Sequence, residues 1–209
     1  MAIKRSGVIL IDMRYDNKKG RVEPALLLFC QGNVCSDGGG QRDNDDKTDA
    51  HTASRELYEE SCGLIYISAE HLENCPKFIQ KHRKSRSSLY FANINIPEID
   101  TSLFRSNRYA LKRQKAPQCW LEKQSIKILY ISDVKKALLT EELLLNPTNE
   151  TSNVQIAKKF QIIVPIMEQY IAQNTIPTLS ISPYKNTDNF KDSPFLESIA
   201  SFALKFPTA

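Results

Sequence analysis

Three carboxylates and one guanidinium are packed into the stretch Arg55-Glu56-Leu57-Tyr58-Glu59-Glu60. On a helix, Glu56, Glu59 and Glu60 stand at i, i+3 and i+4 and so share one face. Like charges at that spacing weaken an isolated helix, so helix stability gives no reason for the cluster. A hard divalent cation gives one: Mg²⁺ or Mn²⁺ takes oxygen ligands, and a carboxylate cluster supplies them. The opposite face carries Ala50, Ala53 and Leu57, which suits packing on a sheet. Taken alone, Glu-x-x-Glu-Glu more often marks a solvated acidic helix face. Its surroundings shift the reading: Gly38-Gly39-Gly40 precedes the helix, Arg55 adjoins the first glutamate and Gly63 follows.

The elements that must position these groups can be sketched from residue pattern. Ser6 to Asp12 and Ala25 to Gln31 read as strands, the second apolar on both faces as in a central buried strand. The cluster Asp16 to Gly20 between them suggests a hairpin turn. The glycine triplet is expected to break regular structure. The helix is expected from about Thr48 to Cys62, capped by Thr48 or Asp49 and ended by Gly63. Ser88 to Ile96 and Lys127 to Ile131 read as strands and Asp133 to Leu139 as a short helix. Asn153 to Ile171 has helical spacing of Ile156, Phe160, Ile163, Met167 and Tyr170, with a kink or break expected at Pro165.

Gly40, five residues, Asp46, eight residues, Arg55-Glu56-Leu57-Tyr58-Glu59-Glu60, Ser61-Cys62, Gly63-Leu64 resembles the Nudix box. That box reads Gly, five residues, Glu, seven residues, Arg-Glu-U-x-Glu-Glu-x-Gly-U, with U aliphatic. Three departures stand out: Asp46 in place of Glu, one extra residue before Arg55, and one extra residue before Gly63. The Arg-Glu-Leu-x-Glu-Glu core is intact. The resemblance implies an α+β Nudix fold, a mixed β-sheet sandwiched between α-helices, spanning residues 1–172. Residues 173–209 then form a Ser/Pro/Asn-rich linker and a C-terminal amphipathic helical extension.

The resemblance also implies roles. Nudix hydrolases cleave nucleoside diphosphates linked to another group, or related pyrophosphates, by attack of water on phosphorus. Glu56, Glu59, Glu60 and the Gly40 main chain would hold Mg²⁺ or Mn²⁺. Arg55 would orient a glutamate by charge-assisted hydrogen bonding. Glu56 would be a ligand or a base, and Glu122, beside Lys123, is the best-placed base outside the box, although it reads equally as a plain surface glutamate. Lys81-His82-Arg83-Lys84 and Arg86 lead into a strand, as a similar stretch does in diphosphoinositol polyphosphate phosphohydrolases. Together with Arg42 they are the residues expected to meet a polyanionic phosphate substrate.

Which substrate is open: a nucleoside diphosphate derivative, a dinucleoside polyphosphate or a diphosphoinositol polyphosphate. An mRNA-decapping enzyme would use the same chemistry, with RNA held by this basic segment and by Arg105, Arg108, Lys112, Arg113 and Lys115. A non-catalytic Nudix module that binds a nucleotide or protein is the alternative from another class, and the intact glutamates argue against it. The formal net charge of +4 is too small to argue for nucleic acid by itself. Trp120 and the Tyr58–Tyr66 pair suit a core as well as base stacking. The five cysteines are odd in number and lack any Cys-x-x-Cys pair, which points to reduced thiols and a cytoplasmic setting. No apolar run approaches the ~20 residues of a spanning helix. The aromatic face of the final helix, Phe195, Ile199, Phe202 and Phe206, would pack on the domain or on a homodimer partner.

Overall fold

The computed structural model describes residues 3–81, 85–94, 101–140 and 155–179. Its centre is a long strand, β1 (Ile3–Asp16), followed by β2 (Arg21–Gln31). Val8, Leu10, Leu26 and Leu28 are wholly buried, as the apolar runs require. The hairpin turn is set by Asp16: its carboxylate accepts the Lys18 N–H at 2.8 Å and its carbonyl accepts the Gly20 N–H at 2.8 Å. Gly20 takes φ +63°, a backbone setting that costs glycine nothing.

The two strands pair antiparallel from Leu10↔Leu27 outward to the turn and then part. The chain fills the opening with two short strands, β3 (Val34–Ser36) along β2 and β4 (Gly38–Gln41) along β1. The glycine triplet therefore lies in a strand, not in a break. Glycine is demanded there by crowding: a Cβ on Gly39 would lie 2.4 Å from the Gly7 Cα. On the other edge of β1 runs β6 (Arg86–Ile94), parallel to it, with β5 (Lys77–Lys81) outside. β7 (Ser125–Tyr130) pairs with the far edge of β2.

Alternate residues of the sheet feed two cores. Val8, Leu10, Leu27, Phe29 and Tyr90 pack under α1 (Asp49–Glu60) and α3 (Thr101–Arg113), with α2 (Ala69–Glu73) lying between them in sequence. Ile9, Ile11, Leu26, Leu28 and Phe91 pack under α4 (Ile131–Thr140) and α5 (Phe160–Ala172). The expected α+β sandwich of a mixed sheet between helices is what forms.

Several boundaries differ from expectation. The helix expected from Asn153 starts only at Phe160, because Gln155–Ile156 form β8, parallel to β3, and Ile156 packs into the second core. The helix then runs through Pro165 without a break. Residues 178–179 form β9 and add to β6, so the chain beyond residue 172 returns to the sheet. The final helix expected from residue 194 lies outside the described residues. The elements α2, β5 and α3 were not anticipated; α3 turns Phe104, Asn107 and Leu111 inward and leaves Arg105 and Arg113 exposed. The expectation of five reduced thiols is overturned. Cys30 and Cys35 face each other across β2 and β3 with Cα atoms 4.0 Å apart and form a disulfide, leaving Cys62, Cys75 and Cys119 free. The register of the short hairpin, not any Cys spacing, makes that pair. Among the described residues no helix is long and apolar enough to cross a membrane.

Candidate active site

The acidic helix α1 is anchored at both ends. Thr48 caps its start, with Oγ1 accepting the His51 N–H at 3.3 Å. At its end Cys62 (φ 55°) and Gly63 (φ 78°) both take left-handed backbone. The Cys62 N–H returns to Glu59 O at 2.9 Å and the Gly63 N–H to Tyr58 O at 2.9 Å. The extra residue before Gly63 is absorbed here, at a cost of roughly 1–2 kcal/mol for a non-glycine residue in that region. Asn107 on α3 supports the turn by donating to the Cys62 carbonyl at 3.0 Å.

Ala50, Ala53 and Leu57 press on the sheet, and Glu56, Glu59 and Glu60 turn toward β4 and its surroundings. Glu56 lies against Gly40: a Cβ there would sit 2.2 Å from Glu56 Oε2. Glu60 is nearly inaccessible, at 3% exposure, and its Oε2 accepts the Gly39 N–H at 2.8 Å. Burial pushes the Glu56 carboxyl up to about 7 against the pull of Arg55, with the Glu59 charge adding to the rise. Burial likewise pushes Glu60 up to about 7, opposed by Lys123 and the Gly39 N–H. Glu59 is raised for the same reason, with Arg55 opposing.

Arg55 sits among these carboxylates. Its Nη1 is 3.1 Å from Glu56 Oε1 and 3.2 Å from Glu59 Oε2, and its Nη2 donates to the Gln41 carbonyl at 2.9 Å. It also grips Asp46 with two nitrogens, Nε to Oδ1 at 3.2 Å and Nη2 to Oδ2 at 2.9 Å. Burial disfavours both charges of that pair, and their mutual attraction more than offsets it: Arg55 is raised and Asp46 lowered. Asp46 thus holds Arg55, and its charge adds to the rise of Glu59.

The second cation was missed in the sequence. Lys123, 7% exposed, reaches Glu60 Oε1 with its Nζ at 2.8 Å. Its backbone is held in place by Arg108 on α3, which donates to Lys123 O at 2.8 Å and to Leu121 O at 3.1 Å. One member of the second basic cluster therefore braces the site from behind. The only signal in the sequence was indirect: three glutamates on one helix face with a single adjoining arginine leave charge uncompensated.

The donor set fits a hard divalent cation. It consists of oxygen donors, the carboxyls are destabilised as anions by burial, and the absence of a Cβ on Gly40 lets the Glu56 carboxylate lie directly against its main chain. As they stand, however, no three acidic, histidine or cysteine side chains converge on one point among the described residues. The counter-charge comes from Arg55 and Lys123.

The remaining expected residues scatter. Glu122 is exposed and ends the 3-10 turn Gln118–Leu121; its charge, with those of Glu59 and Glu56, acts on the Cys119 thiol, which is pushed up to about 11, mainly by burial. Arg42 donates to the Asp46 and Lys47 carbonyls and braces the loop before α1. Lys81 ends β5 directly opposite Arg86, and Arg86 stands level with Ile3 on β1. Arg5, also at that end of the sheet, donates to the Gly39 carbonyl at 2.7 Å. Arg5, Lys81 and Arg86 thus stand toward the same end of the sheet, while Arg42 is turned to the loop before α1. His82, Arg83 and Lys84 lie outside the described residues. Trp120 and Tyr58 meet edge-on at 5.6 Å in the first core, and Trp120 is buried there.

No protein-family model matches the chain, and no curated protein does. Among solved structures it is similar to a mutT/nudix family protein from Listeria innocua, at 15% identity over 81% of this chain and 94% of that one, with a TM-score of 0.45. It is also similar to a C. elegans Ap4A hydrolase, at 14% identity over 82% of this chain and 98% of that one, with a TM-score of 0.43. Likeness at this level assigns no role to any residue.

Proposed function

We propose that the chain is a Nudix-type pyrophosphohydrolase that uses Mg²⁺ or Mn²⁺ to cleave a diphosphate linkage. The observation that carries this reading is the contact of Glu56 with Gly40, beside Glu59 and Glu60. It joins the two halves of the box-like motif, glycine and glutamate helix, in one place despite both insertions.

Glu56, Glu59, Glu60 and the Gly40 main chain would hold the ion. A bound divalent ion neutralises phosphate oxygens and acidifies water. Arg55 keeps Glu56 and Glu59 aligned, and Asp46 keeps Arg55 in place. Glu56, with a carboxyl near 7, is suited to exchange a proton at neutral pH, and Glu122 is the alternative base. Arg5, Lys81 and Arg86, toward one end of the sheet, give phosphate groups a favourable approach. The other flank of Arg55 does not: the cleft there is edged by Asp45, Asp46, Glu70 and Glu73. The substrate is a polyanion entering from the sheet end, whether a nucleoside diphosphate derivative, a dinucleoside polyphosphate or a diphosphoinositol polyphosphate.

A second reading, a non-catalytic binding module, draws on the fact that each of the three glutamates already contacts a protein cation, Glu56 and Glu59 sharing Arg55 and Glu60 meeting Lys123. The test is a panel of diphosphoinositol phosphates, diadenosine polyphosphates, ADP-ribose and capped RNA with Mg²⁺ or Mn²⁺, read by phosphate release and product mass. Turnover that is lost in Glu59→Gln supports the hydrolase; absence of turnover on every substrate with binding retained supports the module.

A further inference from the structure

We propose that Lys123 is a built-in counter-ion that competes with the divalent cation for Glu60. The inference rests on the metal-site reading above and concerns a residue that lies outside the box-like motif altogether.

Glu60 is the most deeply buried of the three glutamates, and a carboxylate so placed needs a partner in every state of the protein. Both of its oxygens are engaged: Oε1 by the Lys123 ammonium at 2.8 Å and Oε2 by the Gly39 N–H at 2.8 Å. Lys123 is itself enclosed, with 8% of its side chain exposed, so this pair is not a loose surface contact. Its backbone is fastened by Arg108 on α3, and the Gln124 N–H is fastened to the Cys30 carbonyl at 2.7 Å. The backbone is fixed while the long, flexible lysine stem leaves the ammonium able to swing. An ion that takes Oε1 must displace that ammonium, because two cations cannot share one lone-pair direction at contact distance without strong repulsion. Lys123 thus keeps the ion-free site folded and sets the threshold at which an ion enters.

The experiment compares Mn²⁺ binding by calorimetry to wild type, Lys123→Met and Lys123→Arg, each as the full chain. Lys123→Met should bind Mn²⁺ more tightly, on the order of tenfold, as one competing unit charge is removed. Lys123→Arg should stay near wild type. In EDTA, Lys123→Met should melt lower than wild type, and Mn²⁺ should raise its Tm by the larger amount. Should Lys123→Met fail to fold, the wild-type chain still decides: in ¹⁵N-lysine NMR with Mg²⁺, the Lys123 ammonium resonance should move as the site fills. Equal or weaker Mn²⁺ binding by Lys123→Met, or a Lys123 resonance unchanged at Mg²⁺ saturation, overturns the role of Lys123 and leaves the hydrolase reading standing. Failure of wild type and variant alike to bind either ion overturns both.

Discussion

Asp46 and Arg55 form a two-pronged pair, with Nε–Oδ1 at 3.2 Å and Nη2–Oδ2 at 2.9 Å, that bridges the loop before α1 to the helix itself. Asp46 is shorter than the glutamate usual at this place in the motif and stands one residue further from the arginine, yet it reaches the guanidinium. With Asp46 holding one edge of the fork, the remaining Nη1 is directed to Glu56 and Glu59.

Asp46→Asn should therefore act at a distance. The variant keeps the shape but loses the charge, and should destabilise the fold by roughly 2 kcal/mol, since a mostly buried ion pair is broken on one side. Arg55, less restrained, should bind Glu56 and Glu59 more closely, and phosphate release should fall. Thermal melting and a phosphate assay check this; an unchanged Tm would show the pair to be fully screened by water.

Gly39 and Gly40 should separate stability from function. A Cβ on Gly39 meets backbone, the Gly7 Cα at 2.4 Å and the Ser6 carbonyl at 2.5 Å, which cannot move aside. Gly39→Ala should be strongly destabilised or insoluble. The atoms nearest a Cβ on Gly40 are the far end of the Glu56 side chain, which can rotate away. Gly40→Ala should fold with near-normal Tm and lose most of its turnover. The reverse pattern would show that Glu56 has no part in the chemistry.

The ion-free protein should lose stability as pH rises toward neutrality. Glu56, pushed up to about 7 in the folded state, stays protonated there at pH values where the unfolded chain has already ionised. The unfolded state then binds fewer protons, so stability falls with increasing pH from about the ordinary glutamate value of ~4.3 up to about 7. Asp46 and Asp37, both lowered, act oppositely, but their contribution is lost only in more acid solution. Melting curves in EDTA between pH 5 and pH 8 (roughly the window set by these values) should decline. Saturating Mg²⁺ should flatten the decline. A rising curve in EDTA would contradict the burial assigned to Glu56.

Thiol counting should reveal the Cys30–Cys35 bridge. The denatured, unreduced chain should titrate three thiols and the reduced chain five. In the native state Cys119 should react first, since it is exposed while Cys62 and Cys75 are buried. Five thiols without reductant would remove the bridge.

Much of this site was legible because helical geometry converts spacing into position. Arg55, Glu56, Glu59 and Glu60 need only a helix to share a face, and Thr48 and Gly63 mark its ends. The hairpin of β1 and β2 was legible from burial on both faces. What escaped was set by distant pairing. The glycines of β4 look like a loop until β1 is known to pass beside them. Lys123 looks like a surface residue until the strand register brings residues 30 and 125 together and seats it over Glu60. Arg42 and Arg108 read as charges for a ligand, but their guanidiniums spend their donors on backbone carbonyls. Local pattern does not report such struts.

The pairing of β2 with β7 joins Cys30 to Ser125, and β1 with β6 joins Ile11 to Asn93. During synthesis, at roughly 5–20 residues per second, the first hairpin waits several seconds with both outer edges unpaired. The glutamate helix emerges in that interval without the lysine that balances Glu60. The nascent chain thus carries a repelling acidic cluster and two open strand edges together, and its most vulnerable period ends only when residue 130 has left the ribosome and β7 closes the sheet.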